Sequence, residues 1–92
     1  EELSDIRHLE DDSYEVFGRV SVLDFNRKTG WDVPAERGDT LGGLVFNTLG
    51  RSANRGEIVS VPGYDIACVE VSGSRIARVR VAKHLEPEQA AE

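Results

Sequence analysis

Ninety-two residues suffice for one domain and are too few for two, and 39% hydrophobic against 30% charged residues is a globular composition. A formal charge of −6 excludes nucleic acid as a partner without a strong basic face, and it disfavours docking on anionic lipid. No apolar run approaches the roughly 20 residues of a membrane-spanning helix, so direct membrane insertion is not expected, and a single cysteine, Cys68, rules out an internal disulfide.

The chain has no methionine, even at its first position, as expected of a segment of a longer protein. Its acidic start is unlike a secretion signal. Residues 1–12 carry acidic side chains around a thin apolar pattern of Leu3, Ile6 and Leu9, and read as a linker or frayed leader. Residues 14–20 alternate, with Tyr14, Val16 and Val20 on one face and Glu15, Phe17 and Arg19 on the other, the period of a strand. Ser21-Val22-Leu23-Asp24 has the form of a capping box with Asp24 in place of glutamate. It predicts a short helix to about Thr29, stopped by Gly30, with Val22 and Phe25 facing the core. Pro34 forces the residues before it towards extended geometry, so Trp31 is expected to anchor a crossing.

The next segment organises the rest. Leu41, Leu44, Val45, Thr48 and Leu49 fall on one helical stripe, Asp39 or Thr40 can cap its start, and Gly50 can end it. Gly42 and Gly43 each cost about 1 kcal/mol of helix propensity against alanine. That cost implies another backbone, or a ligand, close to this first turn. After a polar loop, residues 58–61, 64–72 and 75–81 read as a three-strand meander joined at Pro62-Gly63 and at Ser72-Gly73-Ser74. In its last strand Ala77, Val79 and Val81 are expected inward and Arg78 and Arg80 outward. Residues 83–92 read as a loose polar tail and 13–82 as the domain. The class is α+β: a small antiparallel sheet with a C-terminal meander and two helices packed on one face.

Tyr14-Glu15-Val16-Phe17-Gly18-Arg19, Thr40-Leu41-Gly42-Gly43-Leu44-Val45, Leu49-Gly50-Arg51, Gly56-Glu57 and the hairpin with Arg75-Ile76 and Val79-Arg80-Val81 form a recognisable set. With them the chain resembles the CorC/HlyC transporter-associated domain, found at the C-terminus of hemolysin-like proteins implicated in magnesium and cobalt efflux. The sequence departs from that pattern at Phe17, where an acidic or small residue is usual, and at Ser52, where a proline is usual. The resemblance implies a fold similar to the vanillyl-oxidase type of FAD-binding domain. It also implies a non-catalytic role on the cytoplasmic side of a membrane, modulating ion transport beside a CBS-domain pair of the same chain and a membrane ion transporter. A second copy, paired through an exposed strand edge, is a natural further partner.

Three sets of residues are candidates for a site. Thr40, Gly42 and Gly43 at the helix start could hold the phosphate of a nucleotide or of FAD, but no glycine-rich phosphate motif accompanies them, and close helix packing is the preferred reading. Glu10, Asp11 and Asp12 could gather a divalent cation, though without the spacing of an EF-hand, and a solvated charge run is preferred. Arg19, Arg78 and Arg80 could pair with acidic residues of a partner domain. Cys68 reads as a buried small hydrophobe and His8 and His84 as solvated, with no motif joining serine, histidine and aspartate into a hydrolase.

Overall fold

The computed structural model describes residues 5–35 and 39–83. Seven elements follow in order: β1 (Ile6–His8), β2 (Tyr14–Phe17), α1 (Val22–Thr29), α2 (Leu41–Leu49), β3 (Ile58–Val61), β4 (Tyr64–Ser72) and β5 (Arg75–Lys83). The strands form one antiparallel sheet in the order β1-β2-β5-β4-β3. This is the α+β arrangement expected, with the meander at the C-terminus. Residues 84–92, most of the expected tail, lie outside the described residues.

The leader reading is corrected at Ile6–His8, which pairs along β2 as an edge strand, Ile6 opposite Val16 and His8 opposite Tyr14. Three residues are too short for alternation to show. What fixes the strand is the turn after it. The Leu9 N–H donates to Ser13 O, Asp12 takes φ 70°, and Asp11 Oδ1 accepts from both the backbone N–H and the hydroxyl of Ser13. β2 ends at Phe17, not at residue 20, because Val20 N–H closes a turn onto Phe17 O.

Both helices are capped as the sequence demands. Ser21 Oγ accepts from Asp24 N–H, Thr40 Oγ1 accepts from Gly43 N–H, and Gly30 and Gly50 close the two helices in the left-handed conformation. The two starts are bound together: Val22 N–H donates to Asp39 O and Leu41 N–H to Val20 O, both at 2.9 Å. Val22 and Phe25 of α1 and Leu41, Leu44 and Val45 of α2 are buried against Val16, Val59, Ile66, Cys68, Val79 and Val81 of the sheet. Thr48, expected on this stripe, is exposed, and Leu49 is only half-buried.

The inward pattern of β5 is also corrected. Cys68 faces Val79, Glu70 faces Arg78 and Val71 faces Ile76, a register shift that leaves Val69 and Ala77 without direct partners. Ile76 therefore joins the core and Ala77 does not. The Ala77 carbonyl instead accepts from Gly18 N–H at 2.8 Å, tying the end of β2 to the irregularity in β5.

The loop from α2 to β3 is clamped. Arg51 reaches Glu57 through both guanidinium nitrogens, at 3.0 and 2.6 Å, and Asn54 N–H donates to the same carboxylate. Gly56 N–H and Cys68 N–H then complete the approach of this loop to β4. The Arg51 hydrogen bond and the Asn54 N–H hold the Glu57 carboxyl at about 2, well below its ordinary 4.5. A carboxylate depressed by folding stabilises the fold above its unfolded pKa and loses that contribution as pH falls towards the folded value. Glu57→Gln is expected to melt below the parent chain at pH 7. The gap should narrow between pH 4.5 and 2 in thermal melts across that range, and a gap independent of pH would refute the clamp.

Candidate functional site

Of the three residue sets proposed from sequence, the helix-start set and the acidic set lie apart, and the arginines divide between their neighbourhoods and the sheet. At the start of α2 the backbone amides are already engaged: Leu41 N–H with Val20 O at 2.9 Å, Gly42 N–H with Gly18 O at 2.9 Å, and Gly43 N–H with Thr40 Oγ1 at 3.0 Å. A flavin or nucleotide phosphate would need those donors, so the Thr40, Gly42 and Gly43 set does not fit such a group. The glycine at position 42 has the other cause expected. A Cβ there would stand 3.2 Å from Ile76 O and 3.3 Å from Gly18 O. Beside this turn lies a shallow cavity of about 380 Å³ whose lining includes Arg19, Thr40, Phe46, Ser74, Arg75 and Ile76. Sequence reasoning missed Arg75, Ser74 and Phe46 as parts of one surface.

Asp11 and Asp12 sit at the opposite end, on the turn between β1 and β2. The Ser13 hydroxyl bond holds the Asp11 carboxyl below its usual range. Asp12 Oδ1 lies 3.1 Å from His8 Nε2, and Glu10 is exposed. Among the described residues no three His, Cys, Asp or Glu side chains stand together as a metal-ligand set. Asp11 and Asp12 instead border a cavity of about 410 Å³ with His8, Tyr14, Trp31 and Lys83. Its floor is aromatic. His8 stacks on Tyr14 at 4.7 Å, Trp31 meets Tyr14 edge-on at 4.9 Å, and Lys83 Nζ stands 5.3 Å from the indole centroid.

The arginines divide. Arg78 is held within the sheet, its guanidinium 2.6 Å from Glu70 and 3.0 Å from Glu15, while Arg7 takes the other oxygen of Glu15 at 2.7 Å. This ladder crosses β1, β2, β5 and β4 on the face opposite the core, and its carboxylates keep Arg78 more firmly charged. Arg78, expected as a partner contact, is thus engaged by Glu15 and Glu70 of its own sheet, with its side chain 37% exposed. Arg80 is half-exposed, 3.8 Å from Asp11. Arg19 lies over the Phe17 ring at 4.8 Å and bonds Asp5 at 3.0 Å, on the rim of the α2 cavity. Cys68 is buried, and desolvation together with the Glu57 charge pushes its thiol up, away from the nucleophilic thiolate. No helix among the described residues is long and apolar enough to cross a membrane.

Comparison with known proteins gives this geometry a context. The CorC_HlyC transporter associated domain matches residues 7–84. A magnesium and cobalt efflux protein CorC of Vibrio cholerae is 33% identical over 81 residues, covering 88% of this chain and 28% of that protein. The chain thus spans little more than a quarter of that relative. The transporter associated domain CorC_HlyC from Nitrosomonas europaea superposes with a TM-score of 0.79 at 28% identity, covering 90% of this chain and 100% of that one. The corresponding domain of a Xylella fastidiosa hemolysin, solved in complex with Mg²⁺ and Mn²⁺, has a TM-score of 0.75 at 24% identity, over 89% of this chain and 100% of that one. At that identity the likeness speaks for the fold. By sequence along nearly its whole length and by fold, the chain belongs to the CorC_HlyC family of transporter associated domains.

Proposed function

We propose that this domain is a non-catalytic contact module of a hemolysin-like or magnesium and cobalt efflux protein. It would act on the cytoplasmic side of the membrane, through the CBS or transporter domains of its parent. The observation that carries the reading is the match of residues 7–84 to a domain that forms about a quarter of an efflux relative. The disposition of the marker residues supports it. Arg51 and Glu57 close a loop, while Gly18 and Gly42 let backbones cross. They build the scaffold and leave its surface to make contacts. Such a module changes transport by contacting two conformations of the transporter unequally, since only differential contact shifts an equilibrium.

Deleting residues 5–83 from the parent protein is expected to alter ion flux or its regulation in a transport assay on membrane vesicles. Unchanged flux and unchanged regulation would sink the reading. A bound divalent cation is the weaker alternative, with the Mg²⁺ and Mn²⁺ of the Xylella fastidiosa domain as its support. In this chain the ion would have to compete with Ser13 for Asp11 and with His8 for Asp12. Saturable amide shifts at residues 10–12 on adding Mg²⁺ would bring it forward.

A further inference from the structure

We propose that the groove between the first turn of α2 and the β4–β5 hairpin docks an acidic protein segment bearing an apolar side chain, supplied by another part of the parent protein. The proposal rests on the contact-module reading and names its surface.

The chain as a whole carries −6, yet this groove is cationic. The cavity of about 380 Å³ and the adjoining one of about 540 Å³ share Arg19, Ser74, Arg75 and Ile76, and no described aspartate or glutamate lines either. Arg7, Arg19, Arg27, Arg51, Arg78 and Arg80 each have a carboxylate within 3.8 Å. Arg55 and Arg75 have none among the described residues, and of these two Arg75 lies on the groove. Its guanidinium stands exposed at the start of β5, next to the turn at Gly73-Ser74.

Arg19 shows what chemistry the rim accepts. Stacked on Phe17 and bonded to Asp5, it is held in place with a carboxylate already on its fork. A second acidic group reaching Arg75 would find a partner with no internal competitor. A single exposed ion pair adds little by itself. The groove adds an apolar element in Phe46, which is 46% exposed on its wall. Burying that ring under an aliphatic or aromatic side chain supplies what the charges lack, and the charges set orientation and register. A small inorganic anion would leave Phe46 uncovered. It would also find the helix amides closed to it, because Leu41, Gly42 and Gly43 donate internally.

An amide NMR titration of the 92-residue chain tests this, using a synthetic peptide in which glutamates and aspartates flank one leucine. Saturable shifts are expected at Gly42, Phe46, Ser74, Arg75 and Ile76. In Arg75→Gln the affinity should fall about threefold to fivefold, the upper end of what one exposed ion pair is worth. Lys28→Gln, on α1, should leave it unchanged. The glutamine and asparagine version of the peptide, and inorganic phosphate, should give no saturable shift. Absent saturation, equal affinity in Arg75→Gln, or the same shifts with phosphate would each overturn the proposal. In the parent protein, Arg75→Glu should reproduce the effect of the domain deletion on transport. If Arg75→Glu is silent while the deletion is not, the groove is wrong and the contact module stands. If the deletion is silent too, the contact-module reading itself has failed.

Discussion

Gly18→Ala is expected to destabilise this domain more than alanine at any other described glycine. A Cβ at position 18 would collide with Ile76 O, a backbone atom of the central strand β5. No side chain can swing aside to relieve that contact. Either β5 retreats or the end of β2 does, and both movements break hydrogen bonds made at this point: Gly18 N–H to Ala77 O at 2.8 Å and Gly42 N–H to Gly18 O at 2.9 Å. Overpacking of this kind costs about 1–3 kcal/mol and occasionally more; with two backbone bonds at stake, about 3 kcal/mol or above is expected. For a domain of this length that is a fall of roughly 12–24 °C in melting temperature. The same experiment has internal comparisons. At Gly42 the contacts would be 3.2 and 3.3 Å, and alanine there gains about 1 kcal/mol of helix propensity, so Gly42→Ala should shift stability far less. At Gly43 only the Thr40 hydroxyl is near, at 3.1 Å, and alanine should be tolerated or mildly stabilising. Thermal melts showing Gly18→Ala within a few degrees of the parent chain would mean that the crossing is not so tight.

That ordering shows where sequence and structure part company. The paired glycines announced a close approach, and Gly42 has one. The tightest crossing, however, belongs to Gly18, whose neighbour Ile76 is 58 residues away and leaves no local trace. Ser21, Gly30, Thr40 and Gly50 were legible as caps because capping is settled within four residues of chain. The meander was legible because Pro62-Gly63 and Gly73-Ser74 are two-residue turns between alternating runs. β1 was not, since three residues carry no period and its register depends on β2. The exchange of Ala77 for Ile76 in the core follows from the register shift at Glu70, which no pattern in β5 alone encodes. Among the site residues, the internal ion pairs of Arg78 leave no trace in sequence because its two carboxylates, Glu15 and Glu70, come from different strands. Arg75 was overlooked as the first residue of a strand. A signal was available, since residues 71–83 hold Arg75, Arg78, Arg80 and Lys83 and no acid, the most one-sided stretch of an acidic chain.

Phe25→Ala should remove about 3–5 kcal/mol, the range for deleting a fully buried phenylalanine, because this ring closes the centre of the aromatic cluster. Phe25 is 0% exposed, with Tyr14 edge-on at 5.6 Å and Trp31 edge-on at 5.9 Å. Next to it, Asn26 binds both the N–H and the carbonyl of Val33, at 2.9 and 3.1 Å, fastening the crossing segment to α1. Tyr64 accepts the Asp32 N–H through its hydroxyl at 2.9 Å and faces Trp31 at 5.4 Å. Truncating Phe25 withdraws the ring against which Tyr14 and Trp31 are set, so Trp31 should become wetter as well as less stable. Its fluorescence should shift to the red below the melting transition, together with a lower denaturation midpoint in urea. Phe46→Ala is the opposite case. That ring is exposed on the cationic groove, and surface truncations usually stay within about 0.5 kcal/mol. The two variants therefore separate scaffold from contact surface. Phe25→Ala should lose stability, and what folded protein remains should bind as before. Phe46→Ala should melt with the parent chain and lose affinity for the acidic peptide. If Phe46→Ala destabilised the fold as much as Phe25→Ala did, Phe46 would belong to the core and the groove would lose its apolar anchor.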